Sequence, residues 1–145
     1  KFVELWVDAD VDGLIVPDLP YEEYDELKPL LDETNVYMIP LVALTSEDRI
    51  PMLVKESKGF VYCVSSLGVT GVRKEFDTRI DSFVAKVKEA TDTPACIGFG
   101  ISTKADVERF DKIADGCIVG SAIVRKIFDS KMNIDEIKAF VSSLK

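Results

Sequence analysis

Histidine is absent from this chain of 145 residues. Without an imidazole, the chain can form neither a Ser-His-Asp triad nor a Cys-His pair, so these forms of nucleophilic catalysis are excluded. The commonest metal ligand in proteins is missing for the same reason. Triad hydrolases and histidine-based metal sites are therefore ruled out as functional classes.

Cysteine is scarce, with three residues, Cys63, Cys96 and Cys117, and no CxxC pair. An odd number of cysteines, each in a predicted strand, indicates reduced, buried thiols in a cytoplasmic protein rather than a disulfide framework. A zinc site would require all three strand cysteines to converge, and we predict no metal site.

Basic residues are outnumbered by acidic ones, 18 to 26, which gives a net charge of −8. The basic residues are scattered, so neither a nucleic-acid surface nor a contact with an anionic membrane surface is expected. No apolar run approaches the length of a membrane span. The first residues also lack the long apolar core and small-residue cleavage site of a signal peptide.

The size and composition are those of a globular protein, with 47% apolar and 30% charged residues. They predict one domain with one core over residues 1–145. Because the chain opens with Lys1 rather than methionine, we expect it to be part of a longer one.

Apolar runs alternate with amphipathic segments along the chain. The predicted strands are 14–17, 36–42, 60–64, 95–97 and 116–119. The predicted helices are 22–34, 45–57, 77–90, 103–113, 121–128 and 134–144, with residues 2–10 as the remnant of another.

Thr45 or Ser46 is the expected N-cap of the second helix, Asp77 or Thr78 the start of the third, and Ser102 the N-cap of the fourth. Pro29 should kink or shorten the first.

Five strands, each followed by a helix, predict a parallel sheet covered by helices. The pattern alone leaves two closures open, a doubly wound open sheet and part of a (β/α)8 barrel. An Asp-Gly pair precedes a strand both at Asp12-Gly13 and at Asp115-Gly116. This recurrence suggests repeated βα units.

Three glycine-containing segments, 65–71, 98–102 and 119–123, each come just after a predicted strand. Backbone turns at the carboxyl ends of consecutive parallel strands are how barrel enzymes hold a phosphate. A short helix from Ser121, after the last strand, would aim its amino terminus at the barrel mouth. Ser121 is also compatible with a simple N-cap.

The loop from Ser65 to Phe76 is longer than most connections between a strand and a helix. With Gly68, Thr70 and Gly71 in it, we interpret it as a lid over a ligand. The alternative is a flexible connector whose glycines adopt positive φ.

The chain resembles the tryptophan synthase α subunit family in four strings, in order and spacing. They are LIVPDLP from Leu14, SSLGVTG from Ser65, GFGIS from Gly98 and GSAIV from Gly120. The resemblance extends from about Asp12 to the end of the chain. It implies an α/β fold of the TIM (β/α)8 barrel family, present here as a partial barrel of about five parallel βα units. It also implies cleavage of indole-glycerol phosphate to indole and glyceraldehyde 3-phosphate in tryptophan biosynthesis, with no cofactor bound by this chain.

The same resemblance implies a partner and a set of site residues. The partner is the pyridoxal-phosphate-dependent β subunit, which receives the indole. Gly71, Gly100, Gly120 and Ser121 match the residues that bind the substrate phosphate. Positions lining the indole pocket are matched by Ile15, Leu41, Tyr62, Phe99 and Ile118. The lid corresponds to the loop containing Gly68 and Thr70.

The chain departs from the family at its amino end, where family members are longer. Their catalytic glutamate and aspartate come from the second and third barrel units, so we expect no catalytic residue in this chain and no activity from it alone. Asp18, at a strand end, is interpreted as a structural or interface carboxylate. The alternatives are a non-catalytic half-barrel that binds phosphorylated ligands or self-associates, and a different phosphate-binding barrel enzyme.

Overall fold

The computed structural model describes residues 2–65, 79–98 and 100–145. The strands are β1 Gly13–Leu14, β2 Tyr37–Met38, β3 Leu41–Ala43, β4 Val61–Val64, β5 Ala95–Gly98 and β6 Gly116–Ile118. The helices are α1 Phe2–Asp8, α2 Tyr24–Asp32, α3 Ile50–Val54, α4 Ile80–Ala90, α5 Lys104–Phe110, α6 Ser121–Asp129 and α7 Ile134–Ser143. Short 3₁₀ segments, Tyr21–Glu23 and Leu44–Arg49, precede α2 and α3.

All strand pairs in the described residues are parallel, as the alternating pattern predicted. β3, β4, β5 and β6 form one sheet in chain order, and β1 pairs with β2 in a second. Within residues 2–65, 79–98 and 100–145, the strands form these open sheets rather than a closed ring. The predicted class, a partial barrel of parallel βα units, is the architecture observed.

One predicted strand is broken in two. The expected strand over residues 36–42 appears as β2 and β3, separated by Ile39 and Pro40. Ile39 N donates to Leu14 O at 2.8 Å, and Tyr62 N donates to Pro40 O at 2.9 Å. The two halves therefore face different neighbours, β1 and β4. Proline has no N–H with which to continue a ladder, which explains why the break falls here.

Several predicted helix boundaries are wrong for identifiable local reasons. Neither Thr45 nor Ser46 caps a helix, because both lie inside the 3₁₀ segment, and α3 begins later, with Pro51 in its first turn. Ser102 is not the N-cap of α5 either: that residue is Thr103. Pro29 lies inside α2, which ends at Asp32 rather than at Thr34. The predicted starts of α4, Asp77 and Thr78, lie outside the described residues.

The core lies between the β3–β6 sheet and its helices. On the sheet, alternate residues are buried, namely Val42, Val61, Cys63, Ala95 and Ile97. From the helices come the four residues that the sequence predicted on the inner face of α4, Ile80, Phe83, Val84 and Val87, together with Phe110 of α5. The opposite face of the sheet remains half-buried. One face of the sheet is thus packed and the other is open.

The three cysteines are free, but only Cys63 is buried as predicted. Cys96 and Cys117 are half-buried, which corrects the expectation of three buried thiols. Burial raises the pKa of the Cys63 thiol to about 12, so the group stays protonated at neutral pH. Among the described residues, no group of three or more cysteine, aspartate or glutamate side chains is placed to hold a metal ion.

The start of α5 is closed by a reciprocal cap. Thr103 Oγ1 accepts from Asp106 N at 3.2 Å, while the Asp106 carboxylate accepts from Thr103 N at 2.8 Å and from Ser102 N at 3.0 Å. Partial burial disfavours the charged carboxylate, but these hydrogen bonds outweigh it and lower the pKa of Asp106. The ionised form is therefore the one that stabilises the fold.

We expect Asp106→Asn to lower stability at pH 7 by about 1 kcal/mol, which corresponds to a fall in Tm of a few degrees. Because the folded pKa lies below the unfolded value, the contribution of Asp106 is complete above the unfolded pKa and is lost as pH falls through the folded one. The difference between wild type and variant should shrink between about pH 5 and pH 3. Thermal melts over this range test it, with Glu108→Gln on the same helix as control. An unchanged difference at pH 3 would contradict this account.

Candidate functional site

Two of the predicted glycines lie at the same edge of the sheet. Gly98, the last residue of β5, is the register partner of Ile118, the last residue of β6. Gly100 and Gly120 each come two residues later, so both main chains leave their strands at the same level. Neighbouring strands are about 5 Å apart. Gly100 has φ of +84°, which a residue with a side chain rarely adopts.

The amino terminus of α6 lies beside this turn. Gly120 is the N-cap of the helix, and its carbonyl accepts from Ile123 N at 3.0 Å and from Val124 N at 3.1 Å. A Cβ added at Gly120 would meet no described atom within 4 Å, so the space in front of it is open. Ser121, the first residue of α6, is exposed. The first turn of a helix presents unpaired N–H groups and a partial positive charge, which suits an anion.

The nearby start of α5 is not available in the same way. Its leading amides, those of Ser102 and Thr103, already donate to the carboxylate of Asp106. An anion there would meet a negative charge rather than free N–H groups. Among the described residues that were predicted to bind the phosphate, Gly100 and the residues at the start of α6 are therefore suited to that role.

Three predicted pocket residues share the open face of the sheet. Leu41 and Tyr62 are register partners. Ile118, the register partner of Gly98, lies two residues further along the strands on the same face. All three are half-buried. Ile15 lies just after β1, on the smaller sheet, and is 41% exposed. The structure thus brings Leu41, Tyr62 and Ile118 to one face and places Ile15 on a neighbouring element.

Tyr62 packs against Gly98 very closely. A Cβ on Gly98 would lie 2.6 Å from Tyr62 Cζ and 2.7 Å from Tyr62 Cε1, and would overlap the hydroxyl as well. Partial burial raises the pKa of Tyr62, so the phenol remains neutral near an anion. The sequence placed Gly98 in one of the glycine segments expected to hold a phosphate, but its contact with Tyr62 was not predicted. Its position directly before Phe99 and Gly100 was the available signal.

Other site residues predicted from the sequence lie outside the described residues. They are Gly68, Thr70, Gly71 and Phe99. Asp18, expected to be structural or at an interface, is exposed.

A solvent-open cavity of about 210 Å³ lies beside α2 and α3. Its walls include Tyr21, Tyr24 and Met38, and of the predicted pocket residues that the structure describes, only Leu41 lines it. The LIVPDLP string contributes Val16, Pro17, Leu19 and Pro20 to the same walls, although no cavity was predicted there.

The similarity to known proteins is consistent along the whole chain. A sequence model of the family "Tryptophan synthase alpha chain" matches residues 1–145. The chain belongs to the tryptophan synthase alpha chain family. A family member from Bacillus velezensis is 50% identical over 133 residues, which cover 92% of this chain and 50% of that protein. Membership of this family supports a role in tryptophan biosynthesis.

Solved structures of the family have the same fold. The tryptophan synthase subunit alpha from Campylobacter jejuni is 34% identical with a TM-score of 0.82, covering 100% of this chain and 58% of its own. A chain of the tryptophan synthase a2b2 complex from Pyrococcus furiosus is 29% identical with a TM-score of 0.84, covering 99% and 59%. The chain therefore spans about half the length of the curated relatives it matches. Among the described residues, no helix is long and apolar enough to cross a membrane.

Proposed function

We propose that this chain supplies the phosphate-binding half of a lyase site that cleaves indole-glycerol phosphate to indole and glyceraldehyde 3-phosphate. The observation that carries the proposal is the edge formed by Gly100 and the start of α6. There, a positive-φ glycine and a helix amino terminus leave their strands at the same level, and the space before Gly120 is open. This is the arrangement by which barrel enzymes bind a phosphate group.

The proposed roles follow the family match. Gly71, Gly100, Gly120 and Ser121 bind the phosphate, and Gly68 and Thr70 belong to a lid. The indole ring lies against the pocket residues Ile15, Leu41, Tyr62, Phe99 and Ile118. The shared face of Leu41, Tyr62 and Ile118 supports this pocket, because an apolar face beside a phosphate site suits a ligand with an aromatic ring and a charged end.

We propose that the general acid and base come from the part of the family members' sequence that this chain does not match. Proton transfer at the indole ring and the glycerol hydroxyl requires two positioned groups. Asp106, the described carboxylate beside the phosphate edge, is already engaged in capping α5. The chain alone is therefore proposed to bind phosphate without turning over substrate.

A pyridoxal-phosphate-dependent β subunit is the proposed protein partner, as in the a2b2 complex from Pyrococcus furiosus. The free thiols are in keeping with a reducing compartment, and we propose that the chain acts in the cytoplasm.

Self-association is the second candidate. It is favoured by a group of exposed apolar residues around the α6–α7 connection. Phe128, Met132 and Ile134 are 76%, 74% and 65% exposed. Large apolar side chains exposed close together in the chain are typical of an interaction surface. In this reading, a second copy covers the patch and no reaction is catalysed.

The lyase proposal predicts complementation. We expect this chain to release no indole alone, and to release it from indole-glycerol phosphate when mixed with the part of the Bacillus velezensis relative that this chain does not match. The added segment would supply the two carboxylates, so the rate should rise from undetectable to measurable. Indole is measured by colorimetric assay, with this chain carrying Gly120→Asp as the matched control.

Each other outcome contradicts a particular statement. Indole release by the chain alone would show that the acid and base are present in it. Phosphate binding without release in the mixture would refute the lyase. A stable dimer in light scattering that does not accept the added segment would favour self-association.

A further inference from the structure

Ser65 is the one buried polar side chain within residues 2–65, 79–98 and 100–145, with 1% of its surface exposed. It directly follows β4. Its hydroxyl donates to Gly98 O at 2.6 Å, and its backbone N–H donates to the same oxygen at 3.1 Å. One residue thus makes two hydrogen bonds to a single carbonyl at the end of the neighbouring strand.

The main-chain bond alone would continue the parallel ladder between β4 and β5. The hydroxyl adds a second, shorter bond, and a carbonyl oxygen can accept both. A buried hydroxyl without a partner is costly, so this side chain strongly favours the conformation in which Gly98 O points towards it. The orientation of the Gly98 peptide is therefore fixed from the β4 side.

Gly98 is held on a second side by Tyr62, whose ring occupies the place where a Cβ would be. Two residues of the β4 segment, Tyr62 and Ser65, thus fix one glycine of β5. β5 ends at Gly98, and Gly100, two residues later, has a φ of +84°. A rotation of the Gly98 peptide would be passed along the chain to Gly100, because only one residue separates them.

We propose that Ser65 is a positioning residue of the phosphate site. Its hydroxyl orients the Gly98 peptide and thereby places Gly100 opposite the start of α6. Ser65 itself does not touch the ligand. The inference rests on the proposed phosphate site, and it assigns the hydroxyl a role beyond the stability of the strand end.

The test is an NMR titration of the full chain with glycerol 3-phosphate, in which affinity is measured from the amides of Gly120 and Ser121. We expect Ser65→Ala to weaken affinity about threefold to tenfold, the scale of one hydrogen bond. Ser65→Thr keeps the hydroxyl and should restore most of the affinity. The matched control is Ser57→Ala, which removes a hydroxyl that donates to Val54 O at 2.8 Å and lies 3.2 Å from Thr91 Oγ1, before the start of β5 and so at its other end from Gly98.

The comparison separates positioning from stability. If Ser65→Ala and Ser57→Ala lower Tm similarly but only the first weakens binding, the positioning role holds. Equal affinity of wild type and Ser65→Ala would overturn it, and so would equal losses in both alanine variants. Absence of saturable shifts in the wild type would instead refute the phosphate site itself.

A second measurement needs no ligand and does not depend on the folding of Ser65→Thr. Amide hydrogen exchange at Gly100 should become faster in Ser65→Ala than in the wild type, and should be unchanged in Ser57→Ala. Unchanged exchange at Gly100 in Ser65→Ala would overturn the inference.

Discussion

Replacing Gly98 with alanine should displace Tyr62 and disrupt the edge of the sheet where the phosphate site is proposed. The added Cβ would lie 2.6 Å from Tyr62 Cζ, closer than real Cβ contacts come. The φ angle of Gly98 is not in the positive range, so crowding rather than backbone strain is the cause. Overpacking of this kind costs about 1–3 kcal/mol. We expect Tm to fall by several degrees and affinity for glycerol 3-phosphate to fall at least tenfold, measured by thermal melts and NMR titration.

A double-mutant cycle identifies the cause. Tyr62→Ala removes the ring from a half-buried position, so its own cost should be moderate. If crowding is responsible, Gly98→Ala should cost little in the Tyr62→Ala background, with a coupling free energy of about 1–3 kcal/mol. Tyr62→Phe is the contrasting control: the ring atoms remain, so it should not relieve the clash. Additive effects of Gly98→Ala and Tyr62→Ala would disprove the contact as the source.

Gly120→Asp should weaken phosphate binding strongly while leaving the fold intact. No described atom lies within 4 Å of a Cβ at this position, so the side chain fits. As an N-cap residue, aspartate should stabilise α6 by only about a few tenths of a kcal/mol relative to glycine. A carboxylate about 4 Å from a phosphate is repelled by up to about 4 kcal/mol at an effective dielectric of 20, less at an exposed site. We therefore expect an affinity loss of about a hundredfold with an unchanged or raised Tm.

Gly120→Asn separates charge from bulk, because asparagine has the same shape and also caps helices well. We expect it to lose far less affinity than Gly120→Asp. Isothermal titration with glycerol 3-phosphate at low and high salt gives a further check, since screening should reduce the difference. Equal affinity losses in both variants would indicate bulk, and normal affinity in Gly120→Asp would remove Gly120 from the phosphate site.

The sequence predicted the order of elements well, because the apolar periodicity reflects burial. All four predicted inward residues of α4 are fully buried, and the parallel pairing follows from the alternation of strands and helices. Boundaries were harder. Thr45 and Ser46 are good capping residues by type, but the chain forms a 3₁₀ segment there instead. Type alone could not decide this, because the choice depends on how the segment packs.

Only part of the site was predicted, because the sequence motifs indicate where the chain turns and not which side chains contact one another. Glycine spacing after the strands pointed to Gly100 and Gly120, which the register places at one level. It did not reveal that Asp106 engages the start of α5, or that Tyr62 packs onto Gly98. The Tyr62 contact joins two strands, and one sequence carries no direct signal for it. The Asp106 cap is local, and the Thr-x-x-Asp pattern from Thr103 was a sequence signal that the prediction of Ser102 as the N-cap missed.

The break at Pro40 divides the described chain into two units that differ in their free energy of local unfolding. The main apolar cluster draws its buried members from Val42 to Ala114, while β1, β2, α1 and α2 pack outside it. Proline at the junction donates no ladder bond, so the first half of the broken strand can separate without pulling on the second. Such an arrangement implies sub-global opening, in which the amino-terminal third detaches at a lower free energy than the β3–β6 unit. The two halves of the broken strand, β2 and β3, thus belong to different foldons, and the proposed phosphate edge lies in the more persistent one.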